Sequence, residues 1–173
     1  SMVELLKPKG LFPSIEINTL TQGRVMLNKN KINMWRLVLV YRGVHCPICK
    51  TYLEKLELFK NKLDSINVEI IAISAESEGQ AQQFRKNTTI SYEVGYGLSG
   101  EEMRQLGLYI SSPLSTQETD HIFPEPGLFV INSNGELQII DISNAPFSRP
   151  DIEMLLGGIA FIQEKGYPVR GIQ

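Results

Sequence analysis

The feature that most constrains the fold is an apolar segment that is followed by two cysteines and then by a helical pattern. The segment "WRLVLVY" (35–41) is almost continuously apolar, which is typical of a central strand buried on both faces. Pro47 follows after a short turn and suits the first turn of a helix. Apolar residues then recur at helical spacing as far as Leu63. The pattern predicts a buried strand that leads into a helix carrying both cysteines near its start.

Cys46 and Cys49 are the only two cysteines in the 173 residues. The N-terminal sequence has no apolar core of signal-peptide length, and no apolar run is long enough to span a bilayer. We therefore expect a cytoplasmic, reducing compartment, in which a CxxC pair is more often catalytic or metal-binding than a structural disulfide. The formal net charge of −2 indicates no general attraction to nucleic acid or to an anionic membrane.

The remaining patterns predict an α/β fold in a single domain over residues 1–173. Strands are predicted at 14–20, 23–27 and 67–75, and as a hairpin over 127–143 with its turn at Asn134–Gly135. Helices are predicted at 77–87, 99–108 and 149–166, and residues 110–126 are predicted to be a loop. Helices between the early strands require parallel crossovers, whereas the late hairpin is antiparallel. A mixed central sheet with helices on both faces is therefore expected.

The predicted geometry places Cys46 at the N-terminus of the helix, where free backbone N–H groups and the helix dipole favour an anion. These effects lower the pKa of the Cys46 thiol and predict an exposed, nucleophilic thiolate. Cys49 lies almost one turn later, so it is expected to be partly buried and to resolve a mixed disulfide at Cys46. A protonated His45 would lower the pKa of Cys46 further, and Arg42 and Lys50 add positive charge nearby.

Two other interpretations of the cysteine pair remain open. Half of a zinc site would need two more ligands, which only His45, His121 or carboxylates could supply. Two inert core cysteines are also compatible with the spacing, although the start of a helix after a strand is a poor place for them. The pattern favours redox chemistry at the two thiols, with no further cofactor.

The segment "VLVYRGVHCPICKTYLEKLE" resembles the strand–RGxxCPxC–helix pattern of the AhpC/TSA family, the peroxiredoxin-like proteins of the thioredoxin superfamily. The ending "YPVRG" (167–171) is also similar to that family, and the order of elements resembles a thioredoxin-like fold with an N-terminal β extension. The resemblance implies a thiol-based oxidoreductase. It also implies a thioredoxin- or glutaredoxin-type reductant, a disulfide-containing protein or a peroxide as the partner of the two thiols.

The resemblance also implies which residues surround the substrate. A thioredoxin-like protein has a proline, usually in the cis form, just before the strand that follows the active-site loop, and Pro126 stands there. We therefore expect a cis Glu125–Pro126 bond beside Cys46. Arg149 resembles a second arginine that peroxiredoxins carry at the final helix. The residues expected to contact the substrate are Arg42, Gly43, Val44, Pro47, Glu125, Pro126 and Arg149.

The resemblance is incomplete at positions that affect the choice of substrate. Peroxiredoxins carry a proline and a Thr or Ser before the reactive cysteine and an arginine before the late strand, where this chain has Leu39, Gly43 and Pro126. Those groups would hydrogen-bond a peroxide and stabilise charge on the leaving oxygen. Thioredoxins carry a buried aspartate where this chain has Val40, and a tryptophan where it has His45.

Three functions therefore stay open. The first is thiol–disulfide exchange, in which Cys46 attacks a substrate disulfide, Cys49 releases the product and His45 takes over some of the proton transfer. The second is a thiol peroxidase that reduces hydrogen peroxide or alkyl hydroperoxides, with Arg42 in place of the missing arginine. The third is a redox sensor or binding module whose disulfide state changes a partner-binding surface, with residues 110–126 as the candidate surface.

Overall fold

The computed structural model describes residues 4–173 and has nine strands and five helices in that part of the chain. The strands are β1 (Glu16–Thr19), β2 (Arg24–Met26), β3 (Trp35–Val40), β4 (Val68–Ile73), β5 (Glu93–Tyr96), β6 (Ile110–Ser111), β7 (Phe123–Pro124), β8 (Gly127–Ile131) and β9 (Leu137–Ile142). The helices are α1 (Pro47–Glu57), α2 (Lys60–Ser65), α3 (Glu78–Lys86), α4 (Gly100–Gln105) and α5 (Ile152–Lys165).

The central sheet is mixed, as the sequence predicts. Its strand order is β2-β1-β5-β4-β3-β8-β9, and β3 lies between a parallel neighbour, β4, and an antiparallel neighbour, β8. β4 also pairs in parallel with β5, whereas β8 and β9 form the predicted antiparallel hairpin. The α/β fold with a mixed sheet flanked by helices is therefore confirmed.

The sheet separates two apolar layers, because successive side chains of a strand point to opposite faces. From β3, Leu37 and Leu39 join a layer that contains residues of α1, α3 and α5. Val38 and Val40 join the opposite layer, which is built from α4 and the segment before β1. No helix within residues 4–173 is long and apolar enough to cross a membrane.

The predicted helix from Cys46 to Leu63 is divided into α1 and α2, so its predicted length is wrong. The backbone N–H groups of Leu58 and Phe59 bond three residues back instead of four, which tightens and ends α1. Leu58 points into solvent, whereas Leu63 on α2 returns to the core. The break redirects the chain, and the apolar spacing alone does not reveal it.

Two short pairings were not predicted. β5 contains a buried Glu93 and a glycine, Gly95, so it lacks an apolar pattern. A Cβ at Gly95 would lie 3.0 Å from the Ile73 side chain, so the glycine allows close contact with the neighbouring strand. Within residues 110–126, β6 and β7 pair antiparallel, so the prediction of an unstructured loop is wrong at both of its ends.

The helix starts follow from their capping residues. Ser77 and Ser99 each accept a hydrogen bond from the third residue of α3 and α4, and both helices have a complete capping box. Asp151 caps α5 in the same way through the Met154 N–H, at 2.9 Å. The caps of α3 and α5 matter for the site, because Glu76 and Arg149 stand shortly before these helices in the chain.

Candidate active site

Cys46 is the N-cap residue of α1, and its position follows from the end of β3. The chain turns after β3 so that the Cys46 N–H donates to the Gly43 carbonyl oxygen at 3.2 Å. Cys46 Sγ then accepts a hydrogen bond from the Cys49 N–H at 3.3 Å, which caps the helix. The helix begins where the sequence predicts, with Pro47 in its first turn.

Both cysteines are free thiols, and both are buried, with 4% of Cys46 and 0% of Cys49 exposed. The prediction of an exposed Cys46 is wrong for the reduced protein, because its side chain packs into the same apolar layer as Cys49 and Tyr41. The residues that face solvent beside the pair are Pro47 and Ile48. Cys46 remains the more accessible of the two residues, so it remains the candidate for attack on a substrate.

Arg149 lies directly against the cysteine pair. Its Nη2 donates to Cys49 Sγ at 3.0 Å, and its Nη1 donates to the Pro146 carbonyl oxygen. The guanidinium also stacks on the Tyr52 ring, with Cζ 5.1 Å from the ring centre, and the Tyr52 hydroxyl donates to the Pro150 carbonyl oxygen at 2.6 Å. Arg149 is thus held from three sides, and its nearest reactive atom is Cys49 Sγ.

The two thiols share a hydrogen bond, and this bond determines where the charge lies. The hydrogen bond from the Cys46 S–H, together with the Arg149 guanidinium, lowers the pKa of Cys49 to about 6 against the opposing effect of burial. The same hydrogen bond, followed by burial, raises the pKa of Cys46. The prediction that Cys46 has the lower pKa is therefore wrong in the reduced pair, in which one proton stays on Cys46 and the charge lies on Cys49 beside Arg149.

His45 stands at the turn before Cys46 and packs edge-on against Phe123, with ring centres 4.7 Å apart. Burial lowers the pKa of His45, and Arg42 adds to this effect. His45 is therefore neutral near pH 7, and the expected contribution of a protonated His45 to the Cys46 thiolate is wrong. Neither of its ring nitrogens has a hydrogen-bond partner in the described chain.

Arg42 forms a two-bond ion pair with Glu125. Its Nε and Nη2 each donate to the carboxylate at 2.8 Å, and the Ser111 hydroxyl donates to the same carboxylate at 2.6 Å. The hydrogen bond to Glu125 raises the pKa of Arg42. The guanidinium also lies over the Phe123 ring, at 5.2 Å from its centre. Arg42 therefore joins the end of β3 to β6 and β7. Its Nε and Nη2 donors, which the sequence predicted to contact a substrate, are bonded to Glu125 instead.

The Glu125–Pro126 bond is trans, because residues 4–173 contain no cis peptide bond. The expected cis bond is therefore wrong. The backbone around it is anchored on both sides: the Glu125 N–H donates to the Tyr109 carbonyl oxygen at 2.8 Å, and the Pro126 carbonyl oxygen accepts from the Ser143 N–H at 3.1 Å. A trans bond lets the chain run directly from β7 into β8.

Gly43 is required at the turn for two reasons. Its φ of +146° is a conformation that side chains disfavour, and a Cβ there would lie 2.6 Å from Cδ of the buried Glu76 carboxyl. Val44, the next residue, is half-buried and packs against the apolar layer of Cys46. The turn 42–44 is therefore shaped by packing inside the protein, with Glu76 filling the space beside Gly43.

A Gly43→Ala variant is expected to be destabilised by about 3 kcal/mol, because the new Cβ is strained and meets the Glu76 carboxyl. For a chain of this length the melting temperature is expected to fall by roughly 6–12 °C. Thermal unfolding followed by circular dichroism measures this. Gly157→Ala is the control, since a Cβ on that helical glycine meets nothing within 4 Å. An unchanged melting temperature for Gly43→Ala would show that Glu76 does not pack against the turn.

Several residues at the site were not identified from the sequence as site residues. They are Glu76, His121, Ser111 and Phe123, and all four contact residues of the turn 42–45 or the partners of that turn. Glu76 could have been found, because it follows β4 and the carboxyl ends of parallel strands meet at one edge of the sheet. Within the described residues no group of three His, Cys, Asp or Glu side chains is arranged to hold a metal ion.

The geometry above can be compared with known proteins. The family model described as AhpC/TSA family matches residues 9–140, which include β1 to β8, most of β9 and both cysteines. This chain belongs to the AhpC/TSA family. It is therefore a thiol-based oxidoreductase. A comparison with curated protein sequences found no match.

Solved structures of AhpC/TSA relatives share the fold of this family member. A cysteine-to-serine mutant of peroxiredoxin 6 from Arenicola marina is similar with a TM-score of 0.80 and 15% identity, over 94% of this chain and 76% of that one. The reduced 2-Cys peroxiredoxin of Plasmodium vivax gives a TM-score of 0.78 and 15% identity, over 94% and 100%. AhpC of Mycobacterium bovis gives 0.76 and 14%, over 98% and 99%. At these identities the likeness establishes the fold alone.

Proposed function

We propose that this AhpC/TSA protein is a thiol–disulfide oxidoreductase that uses Cys46 as the nucleophile and Cys49 as the resolving thiol. The observation that supports it most is the contact between the two sulfur-bearing residues within one helical turn, with Arg149 at 3.0 Å from Cys49 Sγ. A disulfide can close between them without unfolding α1, and the resolving sulfur carries a stabilised negative charge.

The reaction follows from the shared proton. When a substrate disulfide arrives, the proton moves from Cys46 to Cys49, and the Cys46 thiolate forms a bond to one substrate sulfur while the other leaves with the electron pair. Cys49 then loses its proton and attacks Cys46 Sγ, which forms the Cys46–Cys49 disulfide and releases the second substrate sulfur. The substrate is reduced by two electrons, and the two thiols supply both, so no further cofactor takes part.

The surface beside the pair supports a polypeptide as the substrate. A groove of about 380 Å³ lies beside the start of α1, and Ile48 and Phe147 are among the residues that line it. Both side chains are exposed, and Arg149, which donates to Cys49 Sγ, also lines the groove. An apolar groove of this kind suits an extended protein segment that carries a disulfide better than it suits hydrogen peroxide.

A second candidate function is a thiol-dependent peroxidase, and the family supports it, since relatives with this fold are peroxiredoxins. Cys46 would then attack a peroxide oxygen and become a sulfenic acid, which Cys49 converts to the disulfide. The geometry favours it less, because Arg42 is paired with Glu125 and Arg149 contacts Cys49. For either function we propose a thioredoxin- or glutaredoxin-type dithiol as the reductant, in a reducing compartment such as the cytoplasm.

Single-turnover kinetics separate the two candidates. Fully reduced protein is mixed in a quenched-flow instrument with hydrogen peroxide or with a disulfide-linked peptide, and the remaining thiols are alkylated and counted by mass spectrometry. We expect faster oxidation by the peptide, and oxidation by peroxide at the rate of an ordinary thiol. Loss of the Cys46 thiol within milliseconds at micromolar peroxide would instead establish the peroxidase. Cys46→Ser is the control for both reactions.

A further inference from the structure

A group of ionisable side chains lies behind the active-site turn, and of its members only His45 has so far been considered for proton transfer. It consists of Glu76, His121 and His45, and it includes both histidines of the chain. Glu76 is fully buried, and neither of its carboxyl oxygens has a hydrogen-bond partner within residues 4–173. A buried ionisable group without a well-formed hydrogen bond is strongly unfavourable, so packing alone does not explain why it is there.

His121 determines how many protons this group holds. Its Nδ1 lies 2.7 Å from the Ile122 carbonyl oxygen, which can only accept, so Nδ1 carries a proton. Its Nε2 lies 3.4 Å from Glu76 Oε1. That contact is favourable when a single proton lies on the carboxyl or on Nε2, and unfavourable when a lone pair faces a carboxylate. The geometry allows Glu76 and His121 to share one proton across this contact.

The surroundings of Glu76 favour the protonated form of its carboxyl. Burial raises the pKa of Glu76, His121 and the Val44 N–H oppose the rise, and Asp120 adds to it. Tyr41 faces Glu76 from the end of β3, but burial raises the pKa of its hydroxyl, so Tyr41 stays neutral. The carboxyl is thus a weaker acid than an exposed glutamate, which suits it to accept and return a proton.

His45 is shifted in the opposite direction. Burial lowers its pKa, Arg42 and His121 act in the same direction, and Glu118 and Glu125 oppose them. The His45 ring is therefore a weak base, while Glu76 is a weakened acid. The two opposite shifts move the proton affinities of Glu76 and His45 toward each other.

The group extends from the turn of Cys46 toward solvent. A Cβ built at Gly43 would lie 2.6 Å from Glu76 Cδ and 3.2 Å from His45 Nδ1. The Glu76 carboxyl and the His45 ring are therefore both next to Gly43. His45 precedes Cys46 in the chain. On the outer side, His121 Nε2 lies 3.7 Å from the largely exposed Asp120 carboxylate.

We propose that Glu76 and His121 store the proton that the Cys46–Cys49 pair exchanges in each redox cycle, with His45 as the link to Cys46. This inference rests on the proposed function. The reduced pair holds one proton and the disulfide holds none, so oxidation removes two electrons and one proton from sulfurs that are shielded from water. Of the two substrate sulfurs, one leaves as a thiolate and the other receives the proton that Glu76 and His121 hold. The proton that the cysteines lose then replaces it.

Glu76→Gln tests the proposal, because it preserves shape and removes the titrating group. We expect the single-turnover oxidation by a disulfide-linked peptide at pH 7 to slow by about 100-fold. We also expect the plot of this rate against pH, measured from pH 5 to 9, to lose the inflection that the shared proton produces. Glu93→Gln is the matched control, since Glu93 is also buried but accepts hydrogen bonds from Thr21. An unchanged rate and pH profile in Glu76→Gln would overturn the proposal.

The double variant shows whether the two residues act as one unit. His121→Gln alone is expected to slow the reaction about as much as Glu76→Gln, and the combined variant is expected to be no slower than either. If the double variant instead loses as much rate as the product of the two single-variant losses, a shared proton is contradicted. If the wild-type protein instead shows no oxidation at Cys46 with any substrate, the proposed function fails before Glu76 is tested by rate.

A stability measurement tests the shared proton without any substrate. Because the pKa of Glu76 is raised above its ordinary 4.5, the folded protein binds more protons than the unfolded chain in the window above that value. The wild type therefore loses stability relative to Glu76→Gln as the pH rises through this window. The melting temperature of the variant minus that of the wild type is expected to be small at pH 5 and larger at pH 8. A constant difference would show that Glu76 does not take up a proton on folding and would overturn the proposal.

Discussion

A Cys46→Ser variant is expected to be oxidised by any substrate no faster than the buffer control. The reason is that the serine hydroxyl is not ionised at neutral pH and is a weak nucleophile. Cys49→Ser is expected to keep the first attack and to lose the release step. It should therefore accumulate a covalent mixed disulfide between Cys46 and the substrate. Quenched-flow sampling with intact-mass measurement distinguishes the free protein, the adduct and the closed disulfide.

The two serine variants control for each other, since both sulfurs are buried in the same apolar layer and the substitutions are nearly isosteric. An adduct on Cys49 in the Cys46→Ser variant would contradict the assigned order of attack. The proteins that Cys49→Ser retains from a cell extract add a further distinction. Many trapped proteins support an oxidoreductase, whereas one stoichiometric partner supports the redox sensor.

The second large effect is expected at Arg149. Arg149→Met removes the guanidinium 3.0 Å from Cys49 Sγ, so the pKa of Cys49 should rise from about 6 toward its ordinary 9.0. Closure of the disulfide at pH 7 is expected to slow by about 10-fold and to recover by pH 9, because each unit of pKa changes the thiolate fraction tenfold. The absorbance of the thiolate at different pH values measures the shift directly.

Stability gives an independent measure of the same interaction. The pKa of Cys49 is depressed in the folded protein, so its stabilising contribution is fully present above the unfolded value and is lost as the pH falls through about 6. The reduced wild type should therefore exceed Arg149→Met in melting temperature more at pH 8.5 than at pH 6. Arg170→Met is the control, because that exposed arginine hydrogen-bonds Tyr167 near the end of the chain and makes no hydrogen bond to either cysteine among the described residues. An equal pKa of Cys49 in Arg149→Met and wild type would contradict the role given to Arg149.

The sequence was sufficient to predict the strand–turn–helix unit that carries the cysteines. The apolar run of β3, Pro47 in the first turn and the spacing of the CxxC pair are local features, and local backbone preferences decide the structure there. The same holds for the capped helices α3 and α5. The mixed sheet followed because helices between strands impose parallel crossovers.

The residues that determine charge and access at the site are distant in sequence, and this is why they were predicted wrongly or missed. Arg42 meets Glu125, 83 residues away, and Arg149 meets Cys49, 100 residues away. No pattern within either segment indicates these pairs. The burial of Cys46 depends on the apolar layer around it, and the neutral state of His45 depends on its burial against Phe123. Local pattern therefore predicted the positions of the thiols, whereas the Arg149 contact that helps to stabilise the charge on Cys49 is a tertiary one.

The most direct test of the account is the product of a single oxidation. Reduced protein is treated with one equivalent of a disulfide-linked peptide, digested without reduction, and mapped by mass spectrometry. The account predicts one intramolecular Cys46–Cys49 disulfide, formed with release of the peptide as two thiols. Unreacted thiols, a lasting peptide adduct or a disulfide between two chains as the main product would contradict it, because Cys46 and Cys49 would then not act as a nucleophile and its resolving partner.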